Sequence, residues 1–356
     1  MADFSDSINL LNSSIVFFDS VSSLVRELEK ISKKVCVIVD EALSLLYSDF
    51  LNRLRPDCTI VLRSEESKSL EKVARVYERF IECGVDRSWY VLGIGGGVVS
   101  DITGFVASTY MRGLRFGFVP TTLLAMVDAA IGGKNGVNLG VYKNIVGTVN
   151  LPEFVYVSPE FLKTLPDDEF RNGLAEVVKA GVIGDRRIFE MLEDGNLSEN
   201  LLEIVRTAVQ VKVKVVSDDL HDNALRKILN FGHTVGHAIE LKSGLKHGYA
   251  VSVGMVVESV VGSVLFGMDK GIAVRIANLL RALNLPVGIK LNEEDIDEVL
   301  KITLHDKKSN DEKIDLVSIR EIGKASVVSV EKVKFLEVLG WVLRNQISSE
   351  STSVQV

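Results

Sequence analysis

Short β-rich runs alternate with helical patterns in the first half of the chain, and this alternation constrains the fold more than any other feature. The β-rich runs cover residues 34–40, 59–63 and 89–94, and an amphipathic helix is predicted over residues 69–82. Strands that alternate with helices build a parallel sheet covered by helices. The sequence therefore predicts an α/β fold with an N-terminal, Rossmann-like parallel-sheet domain.

Long helical patterns dominate after Pro159, where the strand signals fade. The predicted helices cover residues 168–183, 197–218, 225–243, 250–266 and 273–283. Residues 209–216 alternate like a strand but lie in a helix-length run without turn residues, so helix is favoured there. We expect an α/β domain over residues 1–158, a mostly α-helical domain over residues 159–347, and a frayed tail over residues 348–356.

Charge and composition exclude whole classes of partner. The net charge of −7 and the pI near 5.5 give no general attraction to nucleic acid or to anionic membranes. The apolar stretch 250–268 is long enough to span a membrane, but it contains Glu258 and three glycines, and we interpret it as a buried helix. No nucleic-acid or membrane partner is expected, and an anionic ligand must be met by a local basic cluster.

The cysteines and the N-terminal residues bear on the compartment. Cys36, Cys58 and Cys83 are odd in number and lack CxxC spacing, which predicts reduced thiols rather than a disulfide framework. The first residues show no basic region before an apolar run, so no secretory signal is expected. Both observations favour the cytoplasm.

A stripe of polar residues is the first chemical signal. Arg226, Asn230, His233 and His237 are spaced 4, 3 and 4 apart, which predicts one continuous face of a helix. His247 follows, so three of the five histidines fall within fifteen residues. The stripe suggests a metal site, although ordinary surface or core histidines explain this segment equally well.

One metal-dependent activity is already disfavoured. The zinc-peptidase motif needs a glutamate directly after its first histidine to act as general base, and Thr234 stands there. Peptide hydrolysis by that route is therefore not expected.

A glycine run suggests a nucleotide. Gly93–Gly97 follows a buried strand and precedes a helical pattern, so its N–H groups can approach a pyrophosphate. The run is not the GxGxxG fingerprint, and a tight turn is the alternative. Asp40, at a strand end, is a candidate ribose acceptor, with Glu65 and Lys68 near the same cofactor; a simple turn acid is the alternative for Asp40.

Charged residues recur at two further places. Lys134 and Lys143 lie on glycine-punctuated segments and could clamp a phosphate or a carboxylate, or could simply be solvated. Glu176 and Lys179 are three residues apart on a predicted helix face flanked by apolar residues. A surface ion pair is one interpretation of the second pair, and a carboxylate that completes a two-histidine zinc set is the other.

These segments together resemble the dehydroquinate synthases of the sugar phosphate cyclase family, from about Val35 to Ala325. The motifs that carry the resemblance occur in the family's order and cover Gly95–Asp101, Val119–Ala125, Gly173–Lys179, Leu229–Glu240 and Asp306–Lys308. The resemblance implies an NAD-binding α/β domain, a helical metal-binding domain, a site between the two, and a homodimer.

The resemblance also implies roles for individual residues. The Zn²⁺ ligands would be Glu176, His233 and His247. The NAD site would contain Gly95, Gly96, Gly97, Asp101, Thr121 and Thr122, with Asp128, Lys134 and Lys143 close to it. The substrate would be surrounded by Asp128, Lys134, Asn144, Lys179, Lys212, Arg226, Asn230, His237 and Lys307, and Arg112 would reach across the dimer.

The implied reaction is that of a carbon–oxygen lyase acting on a small sugar phosphate. A phosphorylated deoxy-heptulosonate would become 3-dehydroquinate through transient oxidation by NAD, phosphate elimination, reduction and aldol closure. Arg226 would bind the substrate carboxylate, and His237 and Lys179 would shuttle protons. Co²⁺ suits the same ligands, so Zn²⁺ is preferred only on availability.

Departures from the family pattern leave other classes open. Asn135 stands where threonine is common, Asp40 where asparagine is common, and Tyr249 where a glutamate could orient a metal ligand. The alternatives are another sugar phosphate cyclase, a zinc- and NAD-dependent polyol dehydrogenase, and a binding module without activity. Arg226 argues against the first, and the lysines Lys134, Lys143 and Lys307 argue against the second.

Overall fold

The computed structural model describes residues 7–345, except residues 32, 64, 141, 223 and 306–311. The chain divides into two compact units. Unit 1 consists of Met1–Phe170 and Lys212–Leu220, and unit 2 consists of Arg171–Val211 and His221–Val356. Lys307 and the tail predicted over residues 348–356 lie outside the described residues.

A seven-stranded sheet forms the centre of unit 1, in the order β1-β2-β9-β6-β5-β3-β4. The strands of this sheet are β1 (Ser7–Leu10), β2 (Ser13–Phe17), β3 (Val35–Asp40), β4 (Cys58–Leu62), β5 (Tyr90–Gly95), β6 (Arg115–Pro120) and β9 (Phe154–Val157). The strands β7 (Lys134–Leu139) and β8 (Tyr142–Val149) form a separate hairpin. Only β1 pairs antiparallel within the sheet, with β2; the other pairs are parallel. The predicted parallel α/β sheet is confirmed.

Five α-helices accompany the strands of unit 1 in the described part of the chain. They are α1 (Val21–Leu28), α2 (Glu41–Leu46), α3 (Ser48–Leu54), α4 (Leu70–Glu82) and α5 (Gly97–Thr109). The apolar positions Val73, Val76 and Phe80 recur at helical spacing along α4 and are all buried. Every residue of β5 is buried, as expected of a central parallel strand with both faces covered.

Unit 2 is mainly helical. Its helices are α6 (Asp167–Ile183), α7 (Arg186–Glu193), α8 (Leu197–Asp218), α9 (His233–Ser243), α10 (His247–Phe266), α11 (Lys270–Ala282), α12 (Glu293–His305) and α13 (Lys332–Asn345). The strands β10 (Lys313–Glu321) and β11 (Lys324–Glu331) form a hairpin. The first residues of α6 and the last residues of α8 belong to unit 1. The segment 209–216 is helical as predicted. The β10–β11 hairpin departs from the expectation that strands are lost after Pro159.

The long apolar helix α10 packs inside unit 2. It has 20 residues and a mean hydropathy of 1.8, and 72% of its most apolar window is buried in the protein. Its residues Val253, Val257 and Val260 share a core with α9 and α13. The interpretation as a buried helix is therefore confirmed, because most of its apolar surface is packed inside unit 2.

The predicted continuous helix over residues 225–243 is wrong. Leu225–Asn230 forms a short 3₁₀ helix, and α9 starts only at His233. Between them Gly232 adopts a left-handed backbone conformation with φ of 79°. A Cβ atom on Gly232 would lie 2.6 Å from Met255 Cγ, so the chain passes too close to α10 for any other residue. The polar stripe is consequently split between two elements.

The prediction of three reduced cysteines is also wrong, because Cys58 and Cys83 form a disulfide. Cys58 opens β4 and Cys83 caps the C-terminus of α4, which places their Cα atoms 6.1 Å apart, within disulfide range. Cys36 is the free cysteine, and burial raises the pKa of its thiol to about 12. The cysteines thus no longer argue for a reducing compartment.

We expect one titratable thiol per chain when the protein is purified without reductant and unfolded, since Cys36 alone is unpaired. A colorimetric thiol assay in guanidinium chloride measures this number, and the same assay after reduction should give three, the full cysteine count. Three thiols before reduction would contradict the disulfide.

Asn135 shows what one family departure does in unit 1. Its side-chain amide donates hydrogen bonds to the carbonyls of Gly133 (2.9 Å) and Asn150 (3.0 Å), which ties together the ends of the β7–β8 hairpin. Gly104 on α5 makes room for it, because a Cβ there would lie 1.9 Å from Asn135 Oδ1. Asparagine at this position is therefore held by two hydrogen bonds to the backbone.

Replacing Asn135 with alanine should lower the free energy of unfolding by about 1–3 kcal/mol, since its two hydrogen bonds to backbone carbonyls are lost. Denaturant titration measures the change. Arg87→Ala, at an exposed position, is the control and should leave the midpoint unchanged. An unchanged midpoint for Asn135→Ala would show that water replaces both bonds without penalty.

Candidate metal centre and cofactor loop

Three residues from three helices of unit 2 converge on one point. Glu176 lies in the middle of α6, whereas His233 and His247 are the first residues of α9 and α10. The Nε2 atoms of His233 and His247 lie 3.3 Å and 3.4 Å from Glu176 Oε1. One ligand atom from each residue lies within 4.8 Å of the other two. This separation suits three ligands around a single cation.

The Glu176 carboxylate is buried and poorly hydrogen-bonded. It is 2% exposed, and among the described residues neither oxygen accepts a hydrogen bond of good geometry. Burial favours the neutral acid, but the Lys179 ammonium and His233 outweigh it and hold the pKa of Glu176 well below its usual range. A buried anion that is ion-paired with Lys179, whose oxygens accept no well-aligned hydrogen bond and which has two imidazole nitrogens beside it, fits a divalent cation.

Each imidazole is held through its other nitrogen. His233 Nδ1 lies 3.2 Å from the carbonyl oxygen of Phe231, and His247 Nδ1 lies 3.1 Å from Glu240 Oε2. Such contacts set the ring orientation and direct Nε2 towards a metal. Glu240 therefore provides a carboxylate beside His247 even though residue 249 is tyrosine.

The two histidines differ in their preferred charge. Burial, and then the charge of Lys179, lower the pKa of His233 to about 4. Burial also disfavours the charged form of His247, but the adjacent carboxylates of Glu176 and Glu240 outweigh it and raise its pKa to about 9. The position of His247 between the carboxylates of Glu176 and Glu240 therefore favours the protonated, positively charged imidazole.

His237 lies beside the three ligands. Its ring centroid is 5.2 Å from that of His233 and 5.9 Å from that of His247. Arg226, in the preceding 3₁₀ helix, is 3% exposed, and Asn230 is half-buried. The predicted metal ligands, His237 and Lys179 are thus brought together, although the expected single helix face is absent.

The glycine loop of unit 1 joins β5 to α5. Gly96 caps α5 without a side chain, and a Cβ there would lie 3.0 Å from Thr122 Cγ2. Among the described residues, no side chain accepts the N–H groups of Gly97, Val98 or Val99. A helix start with open N–H groups and no Cβ above it suits a phosphate. The N–H of Thr121 donates to Gly95 (3.0 Å), which places the two predicted NAD segments side by side.

Other predicted cofactor residues meet in unit 1. Lys68 and Asp101 form a buried ion pair, and burial raises the pKa of Asp101 despite the lysine. Glu65 Oε1 accepts a bond from Asn138 Nδ2 (3.3 Å), and Asn138 Oδ1 accepts one from the N–H of Asn144 (3.0 Å). These residues form one connected polar cluster.

Asp40 and Asp128 already have partners inside unit 1. Asp40 caps α2 by accepting the N–H groups of Ala42 and Leu43 at 3.0 Å and 3.4 Å, which is the turn role considered for it. Lys212 Nζ donates to Asp128 Oδ1 (2.5 Å) and to its carbonyl (2.6 Å). The remaining predicted residues of unit 1 are exposed, and they are Arg112, Lys134, Lys143 and Asn144.

Sequence reasoning missed three residues that hold the metal ligands. Glu240 contacts His247, Asn172 Oδ1 accepts the N–H of Gly248 (2.6 Å), and Glu258 accepts two N–H groups at the start of α9. Glu258 was visible as an acid in an apolar stretch, and Glu240 as the last residue of the motif Leu229–Glu240. Asn172 had no such signal, because its partner is distant in sequence.

Comparison with known proteins places this arrangement in a class. The structure matches 2-deoxy-scyllo-inosose synthase in complex with carbaglucose-6-phosphate, NAD⁺ and Co²⁺, with a TM-score of 0.82, 26% identity and coverage of 94% and 99% of the two chains. It also matches 2-epi-5-epi-valiolone synthase from Streptomyces hygroscopicus with NAD⁺ and Zn²⁺ bound, with a TM-score of 0.78, 27% identity and coverage of 95% and 98%. The fold is thus that of the sugar phosphate cyclases.

Sequence comparison narrows the class to a family. The profiles of the 3-dehydroquinate synthase N-terminal and C-terminal regions match residues 58–172 and 173–309. The 3-dehydroquinate synthase of Pyrococcus furiosus is 42% identical over 334 residues, which cover 91% of this chain and 97% of the relative. That of Thermococcus kodakarensis is 46% identical over 276 residues, 77% of this chain and 78% of the relative. The chain belongs to the 3-dehydroquinate synthase family.

Replacing His233 or His247 with alanine should remove tightly bound metal, because two protein ligands remain where three converge. Metal per chain after gel filtration, measured by atomic emission, tests this. His221→Ala is a matched control, since His221 is exposed and lies outside the cluster. Equal metal content in all three variants would remove the support for this centre.

Proposed function

We propose that the protein is a 3-dehydroquinate synthase, which converts a phosphorylated seven-carbon deoxy-heptulosonate to 3-dehydroquinate and inorganic phosphate. The observation that carries the proposal is the convergence of His233 and His247 on the buried Glu176 carboxylate. Similarity to 3-dehydroquinate synthases over 91% of the chain supports it. The net reaction is redox-neutral, so a bound nucleotide that is reduced must be reoxidised within the same turnover.

NAD and one divalent cation are the proposed cofactors. The glycine loop and Asp101 would hold NAD, and Glu176, His233 and His247 would hold the cation, which we take to be Zn²⁺. Bound, the cation would acidify a substrate hydroxyl while NAD takes and returns a hydride. Two structures of the same class contain NAD⁺, one together with Co²⁺ and the other with Zn²⁺, and they support the choice of NAD and a divalent cation.

The protein's own residues would bind the substrate and handle its protons. The buried Lys179 ammonium, beside Glu176, would hold a substrate oxygen, and His237 would move a proton at a neighbouring hydroxyl. Lys134, Asn144 and Lys307 would bind the phosphate. Arg226 would form a bidentate pair with the carboxylate. The ion pair of Lys212 with Asp128 would keep that lysine at the substrate.

Assembly and location complete the proposal. We infer a homodimer, in which Arg112 reaches the partner, and a cytoplasmic location. The exposed position of Arg112 on a tight 3₁₀ turn is compatible with such a reach. The proposed partner is the small sugar phosphate substrate, and we propose no nucleic-acid or membrane partner.

A sister cyclase that acts on another sugar phosphate is the second candidate, because two solved structures of that kind share the fold. The buried Arg226 favours a substrate with a carboxylate, which such sugars lack. The polyol dehydrogenase alternative rests on fold alone: an iron-containing alcohol dehydrogenase from Corynebacterium glutamicum matches with a TM-score of 0.67 but 16% identity.

Phosphate release assayed with each candidate sugar phosphate separates these activities. We expect release with the deoxy-heptulosonate phosphate alone and no accumulation of NADH, since the hydride returns to the product. Absorbance at the NADH band, recorded in the same cuvette, measures the second quantity. Steady NADH production would favour a dehydrogenase, and release from a sugar phosphate without a carboxylate would favour a sister cyclase.

Arg226→Lys should weaken binding of the carboxylate substrate by roughly 1.5–3 kcal/mol, because a bidentate charge-assisted contact is lost. This corresponds to an approximately 10- to 150-fold loss of affinity. An analogue without the carboxylate should bind wild type and variant alike, and metal content should not change. Equal weakening of both ligands would assign Arg226 to the phosphate or to the local fold.

A further inference from the structure

Glu258 is a buried acid that the proposed reaction does not use. It is the one carboxylate in α10 and is 4% exposed. Its Oε2 accepts the N–H of Gly232 (2.9 Å) and its Oε1 accepts the N–H of Val235 (3.0 Å). Each carboxylate oxygen therefore has a backbone donor from outside its own helix.

These two donors belong to the first turn of α9. A helix start leaves N–H groups without partners inside the helix and carries a partial positive charge. Gly232, the N-cap residue, has no side chain to satisfy them. Glu258 thus caps α9 from the neighbouring helix and determines the residue at which α9 begins.

That residue is the metal ligand His233. Gly232, whose N–H binds Glu258, precedes it, and Val235, with the second N–H, follows in the same turn. The carbonyl that holds His233 Nδ1 belongs to Phe231, directly before Gly232. A shift of this turn would therefore move both the histidine backbone and the acceptor that orients its ring.

The other histidine is fixed in a parallel way. Asn172, one turn before Glu176 on α6, accepts the N–H of Gly248 next to His247 (2.6 Å). A Cβ on Gly248 would lie 1.9 Å from the carbonyl oxygen of Asn172, so α6 and α10 touch at this point. Both histidines thus stand at helix starts that another ligand-bearing helix caps.

We propose that Glu258 is a positioning residue of the metal centre, which fixes His233 by capping α9. The proposal rests on the metal site inferred above. It explains why a charge is kept in an apolar helix, where burial without partners would destabilise the fold. A purely structural cap would affect the stability of the protein but not its affinity for metal below the unfolding temperature.

The test measures Co²⁺ affinity directly, without an activity assay. Metal-free wild type, Glu258→Gln and Glu258→Met are titrated with Co²⁺ against a coloured chelator, and the Co²⁺ absorption spectrum reports the coordination. Glutamine keeps the size but turns an amide N–H₂ towards one backbone N–H. Methionine keeps the volume, removes the buried charge and leaves both backbone N–H groups without this acceptor, so the folding of each variant is checked by thermal unfolding before the titration. We expect roughly 10- to 100-fold weaker Co²⁺ binding in both variants and an altered spectrum.

Leu339→Ala is the matched control. Leu339 is fully buried in the same core of unit 2, on α13, and its truncation should destabilise the protein by about 2–5 kcal/mol. Its Co²⁺ affinity should equal that of wild type. Loss of stability and loss of metal affinity are thereby separated.

The outcomes distinguish the role of Glu258 from the existence of the metal centre on which it rests. Absence of Co²⁺ binding by wild type would overturn the metal centre, and this inference with it. Tight binding by wild type and undiminished binding by a folded Glu258 variant would overturn the inference alone. The same result follows if Leu339→Ala weakens Co²⁺ binding as much as the Glu258 variants do.

Discussion

The buried charge of Glu176 is the constraint on which the architecture of unit 2 depends. A carboxylate that is 2% exposed must be compensated by positive charge or metal, because its transfer from water is otherwise very unfavourable. Lys179 supplies one compensating charge from the same helix, and His233 and His247 come from two others. The starts of α9 and α10 must therefore be held close to Glu176.

Local patterns predicted what local forces determine. The strands β3 to β5, helix α4 and the helical state of residues 209–216 follow from side-chain periodicity and from the absence of turn residues. The residues themselves suggested a metal site at the histidines and Glu176 as a carboxylate that completes it, but the choice of His233 and His247 came from the family motifs, because no spacing rule relates Glu176 to histidines more than fifty residues later. The roles of the individual substrate and cofactor residues remain proposals.

Tertiary contacts explain what the sequence did not reveal. Helical periodicity runs through Gly232 without interruption, and only the close approach of α10 makes the glycine a break. The bond between Cys58 and Cys83 depends on how α4 returns to β4, which spacing does not encode. Tyr249 suggested a missing carboxylate beside His247, yet Glu240 reaches that nitrogen from α9. A departure at one position is thus uninformative until its neighbours in space are known.

The helix starts of this protein follow one physical rule with two results. The first N–H groups of a helix need acceptors, and the protein either provides them or leaves them open. At α5 the N-cap residue is Gly96 and no side chain caps the helix, so the N–H groups remain available to an anionic ligand. At α9 and α10 the acceptors are Glu258 and Asn172, so the same groups become anchor points for the adjacent histidines. An open helix start can bind a phosphate, whereas a capped one can hold a metal ligand in place.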